Sequence, residues 1–455
     1  MSLPLPSDVE LSVAKPVMAD EAFESLTTAF LAHGRATPDH LAQVFAADPG
    51  HIGGWAAKAM FSVMMGRFEL LPAAREAAGK ARLSLNERGG SVLERLYTAA
   101  AESASTGDWL ATIQALEAIL DEQPDDSLAA KLSHGFRFML GDREGMRTSI
   151  DRVIGRVGLG HRHAGFLLGC KAFALEEAGV YREAEFVGRS AVEREPMDAW
   201  GMHAVSHIHE MTGRLDDGVR WIETRIRNFD HCNNFRYHLF WHLALFRLET
   251  GDCAEVLRLY DENIRADRTD DFRDVANAAS LLQRLEIAGA DVGERWEELA
   301  ALSEKRVQDR SLVFADLHYV MALAGAGRIT EVESLASSLA GGGARNGMQS
   351  EISCCVGGEA AGALIDYRAG RFAEAAQRLI AIRSGMRQIG GSHAQRDVFE
   401  QVMIDAAVKS GHPEARTLLL GRLGNRQGRN RFADDRLKTG TAAAMLNAVA
   451  LSIES

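Results

Sequence analysis

The chain has few of the features that mark secreted or membrane proteins. Its five cysteines are scattered over 455 residues and include no C-x-x-C pair, which argues against a disulfide framework and fits a reducing cytoplasm. No apolar run approaches the ~18 residues that a membrane-spanning helix requires, and the first residues lack the basic start and apolar core of a secretory signal. We therefore expect a cytoplasmic protein that does not contact a membrane.

Positive charge is not in excess either, since the formal net charge is −12. A negative protein is poorly suited to bind the phosphates of nucleic acids or anionic lipids. Only 9 prolines are present, and runs of β-branched residues are rare, which favours helix. The G-x-x-x-x-G-K-[ST] loop and the G-x-S-x-G elbow are absent, so nucleotide-driven or α/β-hydrolase chemistry is not expected.

What the sequence does contain is a repeat marked by glycine. In the clearest unit, Gly165 to Pro196, small residues allow two helices to pack closely, Gly179 provides the turn between them and the proline ends the second helix. Similar glycines recur at intervals of 34 to 43 residues, at Gly66, Gly107, Gly141, Gly179, Gly213, Gly251, Gly289, Gly327, Gly370 and Gly411. The unit resembles the tetratricopeptide repeat. We predict an all-α fold, a right-handed α-solenoid of about ten tetratricopeptide-like hairpins.

The two ends of the chain differ from the repeats. Residues 1–20 are expected to form an extended or irregular N-terminal arm before the superhelix over 21–420. Residues 421–455 are expected to form a basic, solvent-exposed loop, GRLGNRQGRNR, and a capping helix from Phe432 to Ile453. No linker is long or polar enough to separate independent domains.

The unusual side chains fall on one stripe of the central hairpins. In a tetratricopeptide array the first helix of each hairpin lines the concave surface, at positions about 13, 10, 6 and 3 residues before the turn glycine. Before Gly213 these positions hold Trp200, His203, His207 and Glu210. Before the neighbouring turn glycines they include Phe173, Glu176, His238 and Trp241. The sequence therefore predicts a concave pocket with polar groups at its centre.

The histidines of this stripe are the candidates for chemistry. His203 and His207, and likewise His238 and His242, are four residues apart, so each pair lies on one helical face. Histidine transfers protons near neutral pH, and we expect His203 and His207 to act as general acid and base. Two carboxylates, Glu210 and Glu176, together with His238 complete the catalytic set. The alternative is that these are buried histidines that only stabilise the core.

Other residues are expected to bind the substrate. The apolar walls are assigned to Trp200, Trp241 and Phe173. His242 and the polar joint residues His393 and Arg396 are the remaining candidates, because a guanidinium can bind a carboxylate or phosphate through two hydrogen bonds. Arg396 is equally suited to connect two hairpins through Asp397.

No cofactor is predicted. Zn²⁺ is the alternative that two His pairs would favour, but His203 is not followed by the glutamate of the H-E-x-x-H motif. Cys232 precedes the helix that carries His238, and a thiol near a helix start can become a nucleophile. A small packed side chain is the more common role for such a cysteine.

Longer segments resemble a specific family. LAAKLSHGFRFMLGD, DAWGMHAVSHIHEMTGR and IGGSHAQRDVFEQ are similar to segments of the tetratricopeptide-repeat protein 38 family, and the resemblance covers nearly the whole chain. It implies a soluble helical-repeat protein but no particular reaction. One departure is Gly135, where the family usually has an acidic residue after the position of His134.

Two functions remain open at this point. The first is binding and turnover of a small molecule by cofactor-free, hydrolase-like acid/base chemistry in the histidine-rich pocket. The second is a non-catalytic scaffold that binds a peptide or protein, the common role of tetratricopeptide arrays. Assembly as a homodimer is compatible with both functions.

Overall fold

The computed structural model of the protein describes residues 9–344, 347–427 and 430–438. Within these ranges the regular elements are all helical, and the β-pairing is limited to an isolated bridge between Gly34 and Cys232. No helix of the described part is long and apolar enough to span a bilayer. The predicted all-α fold is confirmed.

The chain divides into two compact units. Unit 1 comprises residues up to Ala204 together with Arg227–Arg236, and unit 2 comprises Val205–Ile226 and the chain from Tyr237 onward. The helices of unit 1 are α1 (Val9–Leu31), α2 (Thr37–Ala47), α3 (Ile52–Met64), α4 (Leu71–Arg88), α5 (Val92–Thr106), α6 (Trp109–Glu122), α7 (Ser127–Met139), α8 (Arg143–Val157), α9 (Ala164–Glu177), α10 (Tyr181–Arg194) and the beginning of α11 (Ala199–Met211). Consecutive helices form hairpins, and α3 packs on α5 and α7 on α9 in the manner of a solenoid.

Unit 2 follows the same plan. Its helices are the end of α11, α12 (Leu215–Glu223), most of α13 (Phe235–Thr250), α14 (Cys253–Leu259), α15 (Phe272–Ile287), α16 (Arg295–Glu304), α17 (Val313–Gly325), α18 (Ile329–Ala340), α19 (Gly347–Ile352), α20 (Gly358–Arg368), α21 (Phe372–Ile382), α22 (His393–Lys409) and α23 (Ala415–Asn425). The first helix of one hairpin again packs on the first helix of the next hairpin, as α15 does on α17 and α17 does on α20. Helices α14 and α20 are each extended by a single π-helical turn, Tyr260–Ile264 after α14 and Ser353–Gly357 before α20.

The ten predicted turn glycines all occupy the turns of helical hairpins. Each has a positive φ, between 64° and 88°, a conformation that glycine adopts without steric cost. At Gly179 the backbone N–H donates to the carbonyl of Glu176 at 2.8 Å, and the N–H of Val180 donates to Leu175 at 2.9 Å, which ends α9. The number of repeats predicted from glycine spacing is therefore confirmed.

The ends differ from the prediction. Residues 9–20 belong to α1, which packs on α2 as a hairpin, rather than to an extended arm; residues 1–8 lie outside the described residues. The predicted exposed loop is also wrong, because its first part completes α23 and its side chains Arg422 and Arg426 are only 1% and 6% exposed. Residues 431–438 are helical, and the rest of the predicted capping helix lies outside the described residues.

Candidate functional site

The predicted site residues are divided between the two units. Unit 1 contains Phe173, Glu176, Trp200 and His203, and unit 2 contains His207, Glu210, His238, Trp241, His242, His393 and Arg396. All of these side chains except His393 and Arg396 are buried. Each unit therefore has its own cluster, and the two clusters are described separately.

Unit 2 brings three of the predicted histidines together. The imidazoles of His207, His238 and His242 each offer a ring nitrogen within 4.8 Å of the others. The ring of His242 lies 4.6 Å from His207 and 4.8 Å from His238 between centroids, and His393 lies 5.1 Å from His207. Both His207 and His242 have no exposed surface. Helices α11 and α13 thus build a buried imidazole cluster, in which His207 and His238 come from the predicted stripe.

A carboxylate adjoins this cluster. Glu210 Oε2 is 3.7 Å from His242 Nδ1, and its other oxygen accepts a hydrogen bond from Arg426 at 3.0 Å. Burial by itself raises the pKa of Glu210, but the hydrogen bond with His242 and the charge of Arg426 outweigh it and hold the pKa well below its ordinary value. Glu210 is therefore ionised at neutral pH, and the histidine that it contacts is His242.

The third imidazole has different neighbours. His238 Nδ1 is 3.0 Å from the side-chain oxygen of Asn277 in α15, and its ring stacks on Trp241 with an interplanar angle of 15°. Burial lowers the pKa of His238 well below its ordinary value, and the neighbouring imidazoles lower it further. His238 is therefore neutral, and Trp241 lies on one side of the cluster; its role as a wall of a substrate pocket stays a prediction.

A buried ion network supports Glu210. Asp397 accepts hydrogen bonds from Arg422 at 2.5 and 3.1 Å and from Arg426 at 2.7 Å, while Arg284 lies 3.8 Å away. Since Arg426 contacts both Asp397 and Glu210, the network fixes the carboxylate beside His242. The sequence interpretation missed Arg422 and Arg426, although their spacing of four residues is that of one helical face.

Arg396 forms hydrogen bonds with the backbone just before its own helix. Its guanidinium donates to the carbonyl of Gly391, and to that of Gly390 at 3.4 Å. Both carbonyls belong to the turn before α22, the helix that contains Arg396. The role of Arg396 as an anchor for an anionic substrate stays a prediction.

The cluster in unit 1 is mostly aromatic. The ring of Trp200 lies 4.6 Å from Phe173 and 4.9 Å from His203, and His203 stacks on Phe173 at 5.5 Å. Glu176 is buried on the same helix as Phe173. Trp200 and Phe173 thus contact each other directly, and their role as walls of a substrate pocket stays a prediction.

Cys232 is packed rather than activated. Its thiol lies 3.7 Å from the carbonyl oxygen of Ala32 and 3.6 Å from the ring of His231. Burial raises the pKa of Cys232 to about 12, so little thiolate exists at neutral pH. Of the two roles left open by the sequence, the structure favours a small packed side chain.

Asp198 precedes α11 in unit 1 and is buried. Burial raises the pKa of its carboxyl group to about 7, although the backbone N–H groups of Gly201 and Trp200 and the charge of Lys131 act in the opposite direction. An unfolded aspartic acid has a pKa of about 3.9. Folding therefore binds a proton at Asp198, and this contribution to stability is complete below about pH 4 and is lost as the pH rises to about 7.

Replacing Asp198 with asparagine should remove this pH dependence. Asparagine keeps the size of the side chain and still caps a helix N-terminus, but it has no charge to bury. We expect Asp198→Asn to raise the melting temperature strongly at pH 8 and to leave it nearly unchanged at pH 4, where the contribution of the proton is almost complete. Thermal unfolding at the two pH values measures this, and an equal shift at both would show that the proton is not involved.

The imidazole cluster of unit 2 is also the place that suits a metal ion. Zn²⁺ is commonly bound by three histidines, and Asn277 and Glu210 are hydrogen-bonding partners of the kind that orient histidine ligands. The absence of a cofactor stays the prediction from the sequence, and bound Zn²⁺ stays the alternative to it.

Comparison with known proteins adds little. No family model matches the sequence. A solved structure described as "Structure of Naa15/Naa10 bound to HypK-THB" aligns over 91% of this chain and 64% of that chain, with 12% sequence identity and a TM-score of 0.25. The present chain thus spans less than two thirds of that protein, and a likeness this low supports no conclusion. Membership of the tetratricopeptide-repeat protein 38 family stays a prediction.

Proposed function

We propose that unit 2 binds a small molecule and turns it over by histidine acid/base chemistry, in a hydrolase-like reaction that needs no cofactor. The observation that carries this proposal is the contact of Glu210 with His242 inside a buried group of three imidazoles. A carboxylate beside one ring nitrogen fixes the tautomer of a histidine and raises its basicity.

The residues then have distinct roles. Nδ1 of His242 faces Glu210, so Nε2 is the atom that takes a proton from water or from a substrate hydroxyl. Glu210 stabilises the imidazolium that forms, and Arg426 keeps Glu210 ionised. His207, 4.6 Å away between ring centroids, is positioned to give a proton to the leaving group. His242 is thus the general base, a role that the sequence had assigned to His203 or His207.

The surroundings limit the substrate. The three imidazoles and Trp241 are buried, so a bound molecule is small and is shielded from water. His238 is held by Asn277 and presents a neutral ring, which suits a hydrogen bond to an uncharged polar group. Exclusion of water strengthens each electrostatic contact in such a site.

The experiment is a screen of fractionated metabolite pools for compounds that raise the melting temperature, because a ligand of the folded state stabilises it. We expect a small molecule that binds and is then converted, in protein that carries no metal. Stoichiometric zinc in the purified protein would instead make the imidazoles ligands and overturn the acid/base proposal. Capture of a peptide or protein partner, with no small-molecule ligand, would favour the scaffold function.

A further inference from the structure

A lysine is buried in unit 1 without a carboxylate partner. Lys131 of α7 is 7% exposed, and its Nζ lies 4.3 Å from the ring centroid of Trp200 and 3.9 Å from the sulfur of Cys170. Among the described residues no carboxylate oxygen lies within 4.0 Å of this ammonium group. A thiol sulfur is a weak acceptor, so most of the hydrogen-bonding capacity of Lys131 is unused in the interior.

Two side chains next to Lys131 also contain buried nitrogen atoms without hydrogen-bond partners among the described residues. Neither ring nitrogen of His134 has a hydrogen-bond partner among the described residues, and the same holds for the indole nitrogen of Trp200. His134 lies three residues after Lys131 on the same helix, and its ring contacts Trp200 edge-on at 5.8 Å. Buried polar groups without partners are costly. Three of them in contact indicate that a partner is supplied from outside the chain.

The nearest acidic side chain does not serve as this partner. Asp198 is within electrostatic range of Lys131, yet burial raises its pKa to about 7, so it is partly protonated at neutral pH. Its carboxyl group also lies against Gly169 and Gly201, where a Cβ atom would be within 2.1 and 2.3 Å of Asp198 Oδ2. The carboxyl group is thus held at the start of α11, away from ion-pair distance to Lys131.

Aromatic rings surround the three polar groups. Trp200 is contacted by Phe173 at 4.6 Å, by Phe138 at 5.9 Å and by Phe235 at 5.6 Å. Phe138 and Phe235 are only half-buried, so the cluster is not closed on that side. A molecule that fits these surroundings has an anionic group for Lys131 and a flat apolar body for the rings.

We propose that unit 1 binds a small organic carboxylate whose anionic group pairs with Lys131 and accepts a hydrogen bond from Trp200 or His134. Its apolar body lies against Trp200 and Phe138. The inference depends on unit 1 alone and does not rest on the acid/base function proposed for unit 2.

Phenylacetate and benzoate are suitable probes, with phenylacetamide as the neutral match for phenylacetate. We expect both carboxylates at millimolar concentration to raise the melting temperature of the wild-type protein and to change its tryptophan fluorescence, whereas phenylacetamide does neither. Lys131→Met should weaken carboxylate binding about 10-fold or more, because a hydrogen bond to a charged group is lost. Lys171→Met is the control, since Lys171 pairs with Asp151 at 2.8 Å.

Without ligand, Lys131→Met should melt at the same temperature as the wild type or higher, because a buried charge without an ion-pair partner has been removed. A marked loss of stability or a failure to fold would show that Lys131 is structural and would overturn the proposal. The proposal is also wrong if neither carboxylate stabilises the wild type, if phenylacetamide acts like phenylacetate, or if Lys131→Met still binds as the wild type does.

Discussion

Asp397→Asn is expected to destabilise unit 2 by about 3–5 kcal/mol, the cost of breaking a buried ion pair by removing one partner. The variant keeps the shape of the side chain but removes the charge that faces Arg422, Arg426 and Arg284. All three guanidinium groups are buried, so water cannot replace the lost carboxylate. Urea unfolding followed by circular dichroism measures the change in the free energy of unfolding.

Asp217→Asn is the matched control for this experiment. Asp217 pairs with Arg220 at 2.5 Å, but the two side chains are 45% and 70% exposed. The same chemical change should therefore cost less than about 1 kcal/mol, since exposed pairs and charges at a helix start contribute little. Equal losses in the two variants would mean that the network around Asp397 does not carry the stability of unit 2.

His242→Gln should lower turnover of the substrate found in the metabolite screen by about 10²–10⁴-fold, the usual contribution of a general acid or base. Glutamine has nearly the same size and keeps an N–H group for Glu210, which is 3.7 Å from the imidazole. It cannot take up or release a proton. We expect kcat to fall and the melting temperature to stay close to that of the wild type.

His318→Gln separates this effect from the loss of any buried histidine. His318 is also buried in unit 2, and Nδ1 lies 2.7 Å from the carbonyl oxygen of Phe314. This variant should keep its turnover. If His242→Gln retains activity, or if it unfolds while His318→Gln does not, His242 belongs to the core and the acid/base assignment is wrong.

The repeat could be read from the sequence because its signals are local. A glycine such as Gly179 ends a helix through hydrogen bonds between residues only three to five positions apart, so its meaning does not depend on the rest of the fold. The same local rule gave a wrong prediction for Gly421 to Arg431. Glycine and arginine there indicated a loop, but residues 421–425 belong to α23, and Arg422 is buried against Asp397.

The histidine cluster was partly predictable for a related reason. Helical spacing placed His207 of α11 and His238 of α13 on the stripe of the repeat that faces inward. The structure does bring their imidazoles together. The spacing did not indicate that Glu210 would contact His242, which lies nine residues before Gly251 and so at none of the stripe positions. Nor did it identify Asn277 as the partner of His238.

The sequence by itself thus determined the helices, their turns and the count of the hairpins, because hydrogen bonds and side-chain spacing within one or two helical turns decide those features. Only the tertiary structure decided which charges meet. Arg426 reaches Glu210 across 216 positions of the chain, and that pairing follows from the packing of helices and from the cost of burying either charge alone.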